Sequence, residues 1–184
     1  MDDMQAIRRL KRGDLGGLEI LMEQYQVRAA RAAFLITRDE ALAQDVVQET
    51  FIRISDRIRQ FDESQPFEPY LIRSVIHAAL NAVRGSGKFT SLDDEPGEVE
   101  NLLDRVASVE SQVESTQLQH QVLEALAKLS PRQRAVIVQR YYLQMSEREM
   151  ALALDTAPGT VKWLLNAARE RLRQLLGQKG GSNE

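Results

Sequence analysis

The sequence predicts an all-α protein made of two small helical domains that a flexible acidic linker joins. Apolar residues recur at steps of three and four along most of the chain, and no segment alternates apolar and polar residues as a half-buried strand would. In the C-terminal third, two serines are each followed by Gln or Glu three residues later, which is typical of a helix start. Between the helical parts, Gly, Ser, Pro and acidic residues dominate, which is the composition of a linker.

Residues 1–89 are predicted to form the first domain, a compact body of about four helices. The first helix covers Asp3 to about Lys11, and Asp14 is a fair N-cap for the second. A third helix begins at Glu40, and a fourth begins near Pro66 or Pro69. The predicted breaks between and after these helices are near Gly13 and at 37–39, 62–66 and 85–87.

Residues 118–177 are predicted to form the second domain, after a linker over 90–117 and before a disordered tail over 178–184. Ser130 is followed by Pro131 and Gln133, and Ser146 is followed by Glu149, so two helices are expected to begin there with capping boxes. The second helix of this pair should end near Leu154. The linker is either a solvated spacer or a segment with a function of its own.

A further helix is predicted to start at Pro158, after a short break that begins at Asp155. Its apolar residues form one stripe, and its cations lie off that stripe. The stripe consists of Val161, Leu165, Ala168, Leu172 and Leu175. A short helix, a turn and a longer helix with a basic outer face indicate a helix-turn-helix, whose second helix enters the major groove of DNA. The alternative is an ordinary pair of antiparallel helices whose cations are solvated.

Composition excludes several classes of function. The chain has 184 residues, no Cys and two His, so disulfides and cysteine catalysis are excluded and a metal cluster is not expected. No nucleophile and base pair, phosphate loop or metal-binding spacing is found, so we expect neither an enzyme nor a cofactor. No apolar run approaches a bilayer span, and the N-terminus is charged, so we expect a cytoplasmic protein.

The net charge of −3 is unevenly distributed along the chain. Residues 1–89 carry 13 acids and 13 bases, residues 90–120 carry 8 acids and one base, and residues 121–184 carry 6 acids and 10 bases. The acidity therefore lies in the middle of the chain, and the C-terminal domain is basic, as a DNA-binding domain should be.

Four motifs, in order and at the expected spacing, give the chain a resemblance to a bacterial RNA polymerase sigma factor of the extracytoplasmic-function group. They cover nearly the whole chain, and together they are far more specific than any one of them. The motifs are DVVQETFIR at 45–53, QPF with YLIR at 65–73, LSPRQR with RYY at 129–142, and GTVK with AARERL at 159–172.

The resemblance implies a σ2 domain, a linker and a σ4 domain that act without catalysis. Such a protein binds core RNA polymerase and promoter DNA, opens the minus-10 element with its first domain and recognises the minus-35 element with its helix-turn-helix. The linker would thread through the polymerase near the RNA path, where a polyanion could stand in for nucleic acid. Factors of this group are commonly restrained by an anti-sigma factor.

Three sets of residues are implied as contact sites by the resemblance and their positions. Core polymerase is expected to meet Asp45, Gln48, Glu49 and Arg53, which share one helix face. The minus-10 element is expected to meet Phe61, Phe67, Tyr70, Arg73, His77, Asn81, Arg84 and Lys88, with an aromatic pocket between Phe61 and Phe67. The minus-35 element is expected to meet Arg132, Arg134, Thr160, Lys162, Trp163, Asn166, Arg169, Arg171 and Arg173.

Some residues depart from the pattern of the group. Trp163 and Leu164 stand where the group usually has Ser and Arg, and as an exposed apolar pair they favour a protein partner. Asp155 stands where the group usually has Gly, and Ala157 where it has a capping Ser. In the first domain, Tyr70 replaces Trp, His77 replaces Asn and Asn81 replaces Asp.

The sequence also leaves two alternatives open. The chain could be a DNA-binding regulator that uses its helix-turn-helix for recognition and its N-terminal helices for dimerisation. Separately, the acidic linker could draw the basic second domain onto the first and give the free protein a compact resting state.

Overall fold

The computed structural model describes residues 2–85 and 114–177, with side chains throughout except at 114–119 and 177. The chain divides into two compact units, 1–82 and 83–184. All regular secondary structure in the described ranges is helical, which confirms the predicted all-α class. Lys88, most of the predicted linker and the predicted tail lie outside the described residues. Within those that are described, no helix is both long and apolar enough to cross a bilayer.

The first unit is built on α1 (Asp3–Lys11), α2 (Gly16–Thr37), α3 (Glu40–Arg57) and most of α4 (Phe67–Gly85), with a short 3-10 helix over Ile58–Gln60. The helix starts follow local chemistry. Arg38 takes the left-handed conformation at φ 61°, and the side chain of Asp39 accepts a hydrogen bond from the Leu42 amide at 3.1 Å. Asp14 is not the N-cap of α2, since Leu15 holds that position, but its Oδ1 accepts from the Gly16 amide at 3.0 Å.

The core of the first unit lies where α2 packs on α1 and α3. Three alanines of α2, Ala29, Ala32 and Ala33, are fully buried, and small side chains let neighbouring helices approach closely. Phe51 of α3 is 1% exposed, as expected of a core residue. One face of α3 is thereby committed to the core and the opposite face is left to solvent.

Gly17 sets the distance between α1 and α2. A Cβ added there would overlap the carbonyl oxygen of Ala6 and lie 2.8 Å from the amide nitrogen of Leu10. We expect Gly17→Ala to lower the free energy of unfolding by about 1–3 kcal/mol, because backbone atoms of α1 must move to admit the methyl group. Gly85→Ala is the control, because no atom of the described residues would come within 4 Å of a Cβ added at Gly85. Equal unfolding curves for the two variants in a urea titration would contradict this account.

The second unit contains α5 (Glu114–Ala127), α6 (Pro131–Ile137), a π-helical turn over Val138–Tyr142, α7 (Glu147–Ala153) and α8 (Pro158–Gly177). Both predicted capping boxes are formed. The Gln133 amide donates to Ser130 Oγ at 3.2 Å and the Ser130 amide donates to Gln133 Oε1 at 3.0 Å. In the second box, the Glu149 backbone amide donates to Ser146 Oγ at 3.3 Å and the Ser146 backbone amide donates to Glu149 Oε2 at 2.7 Å. The Ser146 hydroxyl donates to Glu149 Oε2 at 2.7 Å, and this bond together with the one from the Ser146 backbone amide lowers the pKa of Glu149, so the carboxyl group stays ionised at neutral pH.

Gln139, in the π-helical turn, is a buried polar residue that the packing does not satisfy. Its side chain is 0% exposed, and neither Nε2 nor Oε1 has a hydrogen-bond partner among the described residues. We expect Gln139→Met, which keeps the shape and removes the amide, to raise the free energy of unfolding by about 1–3 kcal/mol. Chemical denaturation against Gln26→Met, an exposed counterpart on α2, measures the difference. A destabilised Gln139→Met protein would show that the amide has a partner in solution.

Candidate protein and nucleic-acid interfaces

The solvent face of α3 carries the residues predicted to meet core polymerase. Asp45, Gln48, Glu49 and Arg53 are all exposed and recur at steps of three and four. Arg53 pairs with Glu49 at 3.8 Å, with side chains 56% and 74% exposed. A pair this exposed is screened by water and adds little stability, so both charges are available to a partner.

Ile52 belongs to the same face, although the sequence patterns did not single it out. Its side chain is 59% exposed and lies one turn beyond Gln48 and Glu49. The seven-residue spacing from Asp45 could have indicated this position. An exposed apolar residue among charged ones is what the centre of a protein contact requires.

The open aromatic pocket predicted between Phe61 and Phe67 is not formed. Phe61 is 8% exposed and Phe67 is 1% exposed, and their ring centroids lie 5.8 Å apart in an edge arrangement. Tyr70 packs on Phe61 at 5.1 Å, and Tyr25 packs on Phe67 at 5.8 Å. The four rings bury their apolar area on one another, so they form core where an open pocket was predicted. Of the Phe and Tyr residues predicted to meet the minus-10 element, Tyr70 alone keeps part of its side chain accessible.

A polar stripe runs along α4 after this aromatic cluster. Arg73, Asn81 and Arg84 are exposed and His77 is half-buried, and their spacing of four, four and three places them on one side of the helix. Cations and amides in a row can follow a nucleic-acid strand.

The turn between α7 and α8 has the form of a helix-turn-helix. Asp155 takes the left-handed conformation at φ 48°, which explains why glycine is the favoured residue at such a position. The Thr156 amide donates to the Ala151 carbonyl at 3.0 Å, and the Val161 amide donates to the Ala157 carbonyl at 3.2 Å. Thus α7 ends and α8 begins within four residues.

The N-terminal half of α8 presents its polar side to solvent. Thr160, Lys162 and Asn166 are exposed, whereas Val161 and Leu165 are 0% and 2% exposed. This division follows from the apolar stripe, which packs on α6 and α7. The exposed side chains are those predicted to meet base edges or phosphates.

Trp163 and Leu164 were predicted to be an exposed apolar pair on α8, and this prediction is wrong for Leu164. Trp163 is 61% exposed, but Leu164 is 7% exposed and belongs to the core. The neighbours lie about 100° apart around a helix, so one can face solvent while the other packs inward.

The cations predicted to meet phosphates fall into three groups. Arg132 is exposed. Arg134 is only 4% exposed and donates to the carbonyl of Ala127 at 3.3 Å, so it supports the end of α5 and is not a phosphate contact. The others are partly buried and held by neighbours: Arg169 donates to Tyr141 Oη at 2.8 Å, Arg171 to Gln174 at 3.4 Å, and Arg173 to Glu170 at 3.5 Å.

The described part of the chain contains no group of three His, Asp or Glu residues placed to hold a metal ion.

Comparison with known proteins agrees with this arrangement. Residues 21–89 match Sigma-70 region 2, and residues 119–172 match Sigma-70, region 4. The ECF RNA polymerase sigma factor SigW of Bacillus subtilis (strain 168) is 27% identical over 178 residues, covering 94% of this chain and 95% of the relative. The RNA polymerase sigma-E factor of Streptomyces avermitilis is 33% identical over 146 residues, covering 79% of this chain and 77% of the relative.

A solved structure shares the fold. The sigma factor RpoE in complex with the anti-sigma factor NepR from Bartonella quintana superimposes with a TM-score of 0.62 at 20% identity, covering 86% of this chain and 96% of that chain. The sequence relatives extend over both helical units and include the region that carries the helix-turn-helix. The chain therefore belongs to the extracytoplasmic-function family of RNA polymerase sigma factors, the initiation factors that bring core polymerase to promoter DNA.

Proposed function

We propose that three surfaces divide the work of initiation: the α3 face (Asp45, Gln48, Glu49, Ile52 and Arg53) binds core polymerase, the α4 stripe contacts the minus-10 element, and the outer side of α8 reads the minus-35 element. The observation that carries this proposal is the sidedness of α8. Its polar residues Thr160, Lys162 and Asn166 face solvent over the same turns in which Val161 and Leu165 of the apolar stripe are packed.

At the minus-35 element, α8 supplies different kinds of contact from adjacent positions. The amide of Asn166 can pair with an adenine edge, the ammonium of Lys162 can meet a guanine edge or a phosphate, and the Thr160 hydroxyl can bond either. Trp163 offers an apolar surface to a thymine methyl group. Arg132 lies exposed at the start of α6 and is the remaining predicted cation with an unobstructed surface for phosphate.

At the minus-10 element, the α4 stripe follows one strand after the bases have separated. Arg73 and Arg84 supply charge at two ends of the stripe, and Asn81 supplies hydrogen bonds between them. The aromatic cluster, which precedes the stripe, holds the start of α4 in place. Tyr70 is the aromatic ring available to stack on a base.

The α3 face, which we propose to meet core polymerase, combines an apolar centre with charged neighbours. Ile52 would be desolvated at the middle of the contact. The negative charges of Asp45 and Glu49 would favour a basic partner surface and fix its orientation. This role is one of binding and positioning, so the chain itself catalyses no reaction and works in the cytoplasm with the polymerase.

We further propose that an anti-sigma factor restrains this protein, since the solved relative RpoE is in complex with the anti-sigma factor NepR. Trp163 and Ile52 are large apolar side chains more than half exposed, and a partner that covers them would block DNA and polymerase together. Full activity of the protein purified from its native cell, with no partner co-purifying, would contradict the restraint.

Run-off transcription with core polymerase over a promoter library tests the proposed function. We expect transcripts that require both this chain and a subset of promoters with shared minus-35 and minus-10 sequences. A dimeric regulator would bind DNA without forming a complex with core in gel filtration, and that result would overturn the proposal.

A further inference from the structure

The loop over 62–66, between the 3-10 helix and α4, is held in one shape by Asp62. The Oδ1 atom of Asp62 accepts from the amide and the hydroxyl of Ser64 at 2.9 and 2.8 Å, and the Gln65 amide donates to the Asp62 carbonyl at 3.1 Å. The bonds from the Ser64 backbone amide and hydroxyl lower the pKa of the Asp62 carboxyl group. The turn leaves Ser64, Gln65 and Pro66 exposed immediately before α4 begins.

Helix α1 fastens this loop from outside through Glu63. Arg8 Nε donates to Glu63 Oε2 at 3.0 Å, and Lys11 Nζ donates to Glu63 Oε1 at 3.0 Å and to the carbonyl of Phe61 at 2.8 Å. Because Arg8 and Lys11 lie one turn apart on α1, both reach the same carboxylate. They hold the pKa of Glu63 below its usual value, so the contact is charged at neutral pH.

The contact between α1 and Glu63 starts from a helix that is packed against the core, and it is partly buried. In α1, Ala6 and Ile7 are fully buried, and Asp3 accepts a hydrogen bond from the Tyr25 hydroxyl at 2.6 Å. The side chain of Arg8 is 58% exposed, whereas those of Lys11 and Glu63 are 21% and 33% exposed, so the Lys11–Glu63 pair is the sheltered one. Water screens such a pair less than it screens a fully exposed one, so the loop is tied to a fixed helix.

We propose that Arg8 and Lys11 are positioning residues for promoter opening, which hold the loop through Glu63 so that Ser64 and Gln65 meet the separated strand at the start of α4. The Ser64 hydroxyl, whose proton is donated to Asp62, can accept from a base amine. The Gln65 side-chain amide, whose Nε2 lies 3.4 Å from Asp62 Oδ2, can hydrogen-bond base edges or the sugar-phosphate backbone through its oxygen and its second N–H. A loop ordered in advance spares the complex the entropy of ordering it on the DNA. The inference rests on the proposed contact between α4 and the minus-10 element.

The experiment uses holoenzyme reconstituted from the full chain and core polymerase on a cognate promoter with 2-aminopurine in the minus-10 element. The test variant is Glu63→Gln. The matched control is Asp14→Asn, which removes the carboxylate that lies 2.7 Å from Nε of Arg9, another cation of α1. We expect Glu63→Gln to slow strand opening about fivefold to tenfold while the affinity for core changes less than about twofold. Asp14→Asn should open the promoter at the wild-type rate, and Lys11→Arg should retain most of it.

Two further measurements separate a positioning role from loss of stability. Glu63→Gln should reduce the ratio of opening rates between promoters with correct and altered minus-10 bases, and hydrogen exchange should rise in 62–66 and not in α3. Opening at the wild-type rate and selectivity in Glu63→Gln would overturn the inference. Arg73→Ala in the same assay addresses the proposed α4 contact alone: an unchanged opening rate there would overturn that contact, whereas the Glu63→Gln result decides the role of α1.

Discussion

Asp45→Arg combined with Glu49→Arg is expected to weaken binding to core polymerase by more than about 100-fold, because each substitution turns an attraction to a basic partner into a repulsion, and like charges brought together at an interface cost several kcal/mol. Both residues are exposed, so the change should leave the fold intact. The measurement is the dissociation constant of the labelled chain with core by fluorescence anisotropy.

The matched control for the α3 face is Glu19→Arg with Glu23→Arg, which makes the same change in net charge at exposed positions of α2. It should retain core binding within a few-fold. If the α2 and α3 variants lost affinity equally, the effect would come from net charge and the assignment of the α3 face would fail. Both variants should keep the wild-type discrimination between cognate and altered minus-35 sequences, since neither changes a residue proposed to read that element.

Lys162→Glu combined with Asn166→Ala is expected to lower transcription from a cognate promoter by about 30-fold or more, because each base contact of this kind is worth about 1–3 kcal/mol and the new carboxylate repels phosphate. Core binding should be unaffected. The measurement is run-off transcript yield against promoter concentration, together with the dependence of promoter affinity on salt.

Lys128→Glu is the control for the recognition helix, since Lys128 is an exposed cation at the end of α5 and outside the proposed DNA surface. We expect it to change transcription less than about threefold, through long-range charge alone. A loss equal to that of the α8 variant would indicate a general charge effect. Wild-type discrimination of the minus-35 sequence by the α8 variant would show that α8 does not read it.

Helix starts could be predicted from the sequence because their signals are local. Ser130 with Gln133 and Ser146 with Glu149 form their capping boxes within one turn of the chain, so no distant residue has to cooperate. The break at 37–39 is of the same kind, since Arg38 in the left-handed region ends α2 and Asp39 caps α3. The predicted α2 cap at Asp14 missed by one residue, because the first turn began one residue later than the side-chain signal indicated.

The candidate surfaces could be predicted in part. On α3, periodicity placed Asp45 and Glu49 outside and Phe51 inside, as the structure has them. The phosphate contact predicted for Arg134 from the resemblance and its position was wrong, because a long side chain near a helix start can turn back to an earlier carbonyl, here that of Ala127. Whether such a side chain faces solvent or bonds to a neighbouring segment depends on where that segment packs. The sequence of one helix does not contain that information.

Periodicity and capping residues determined the all-α class, most of the helix limits and the polar sides of α3 and α8, because each of these depends on residues within a few turns of one another. Four motifs in order along the chain indicated its family. Packing between elements decided the rest. It buried Phe61 and Phe67 in a four-ring cluster and Leu164 in the core. It also brought Arg8 and Lys11 to Glu63 across more than fifty residues of sequence, a contact that exists only after α1 has docked.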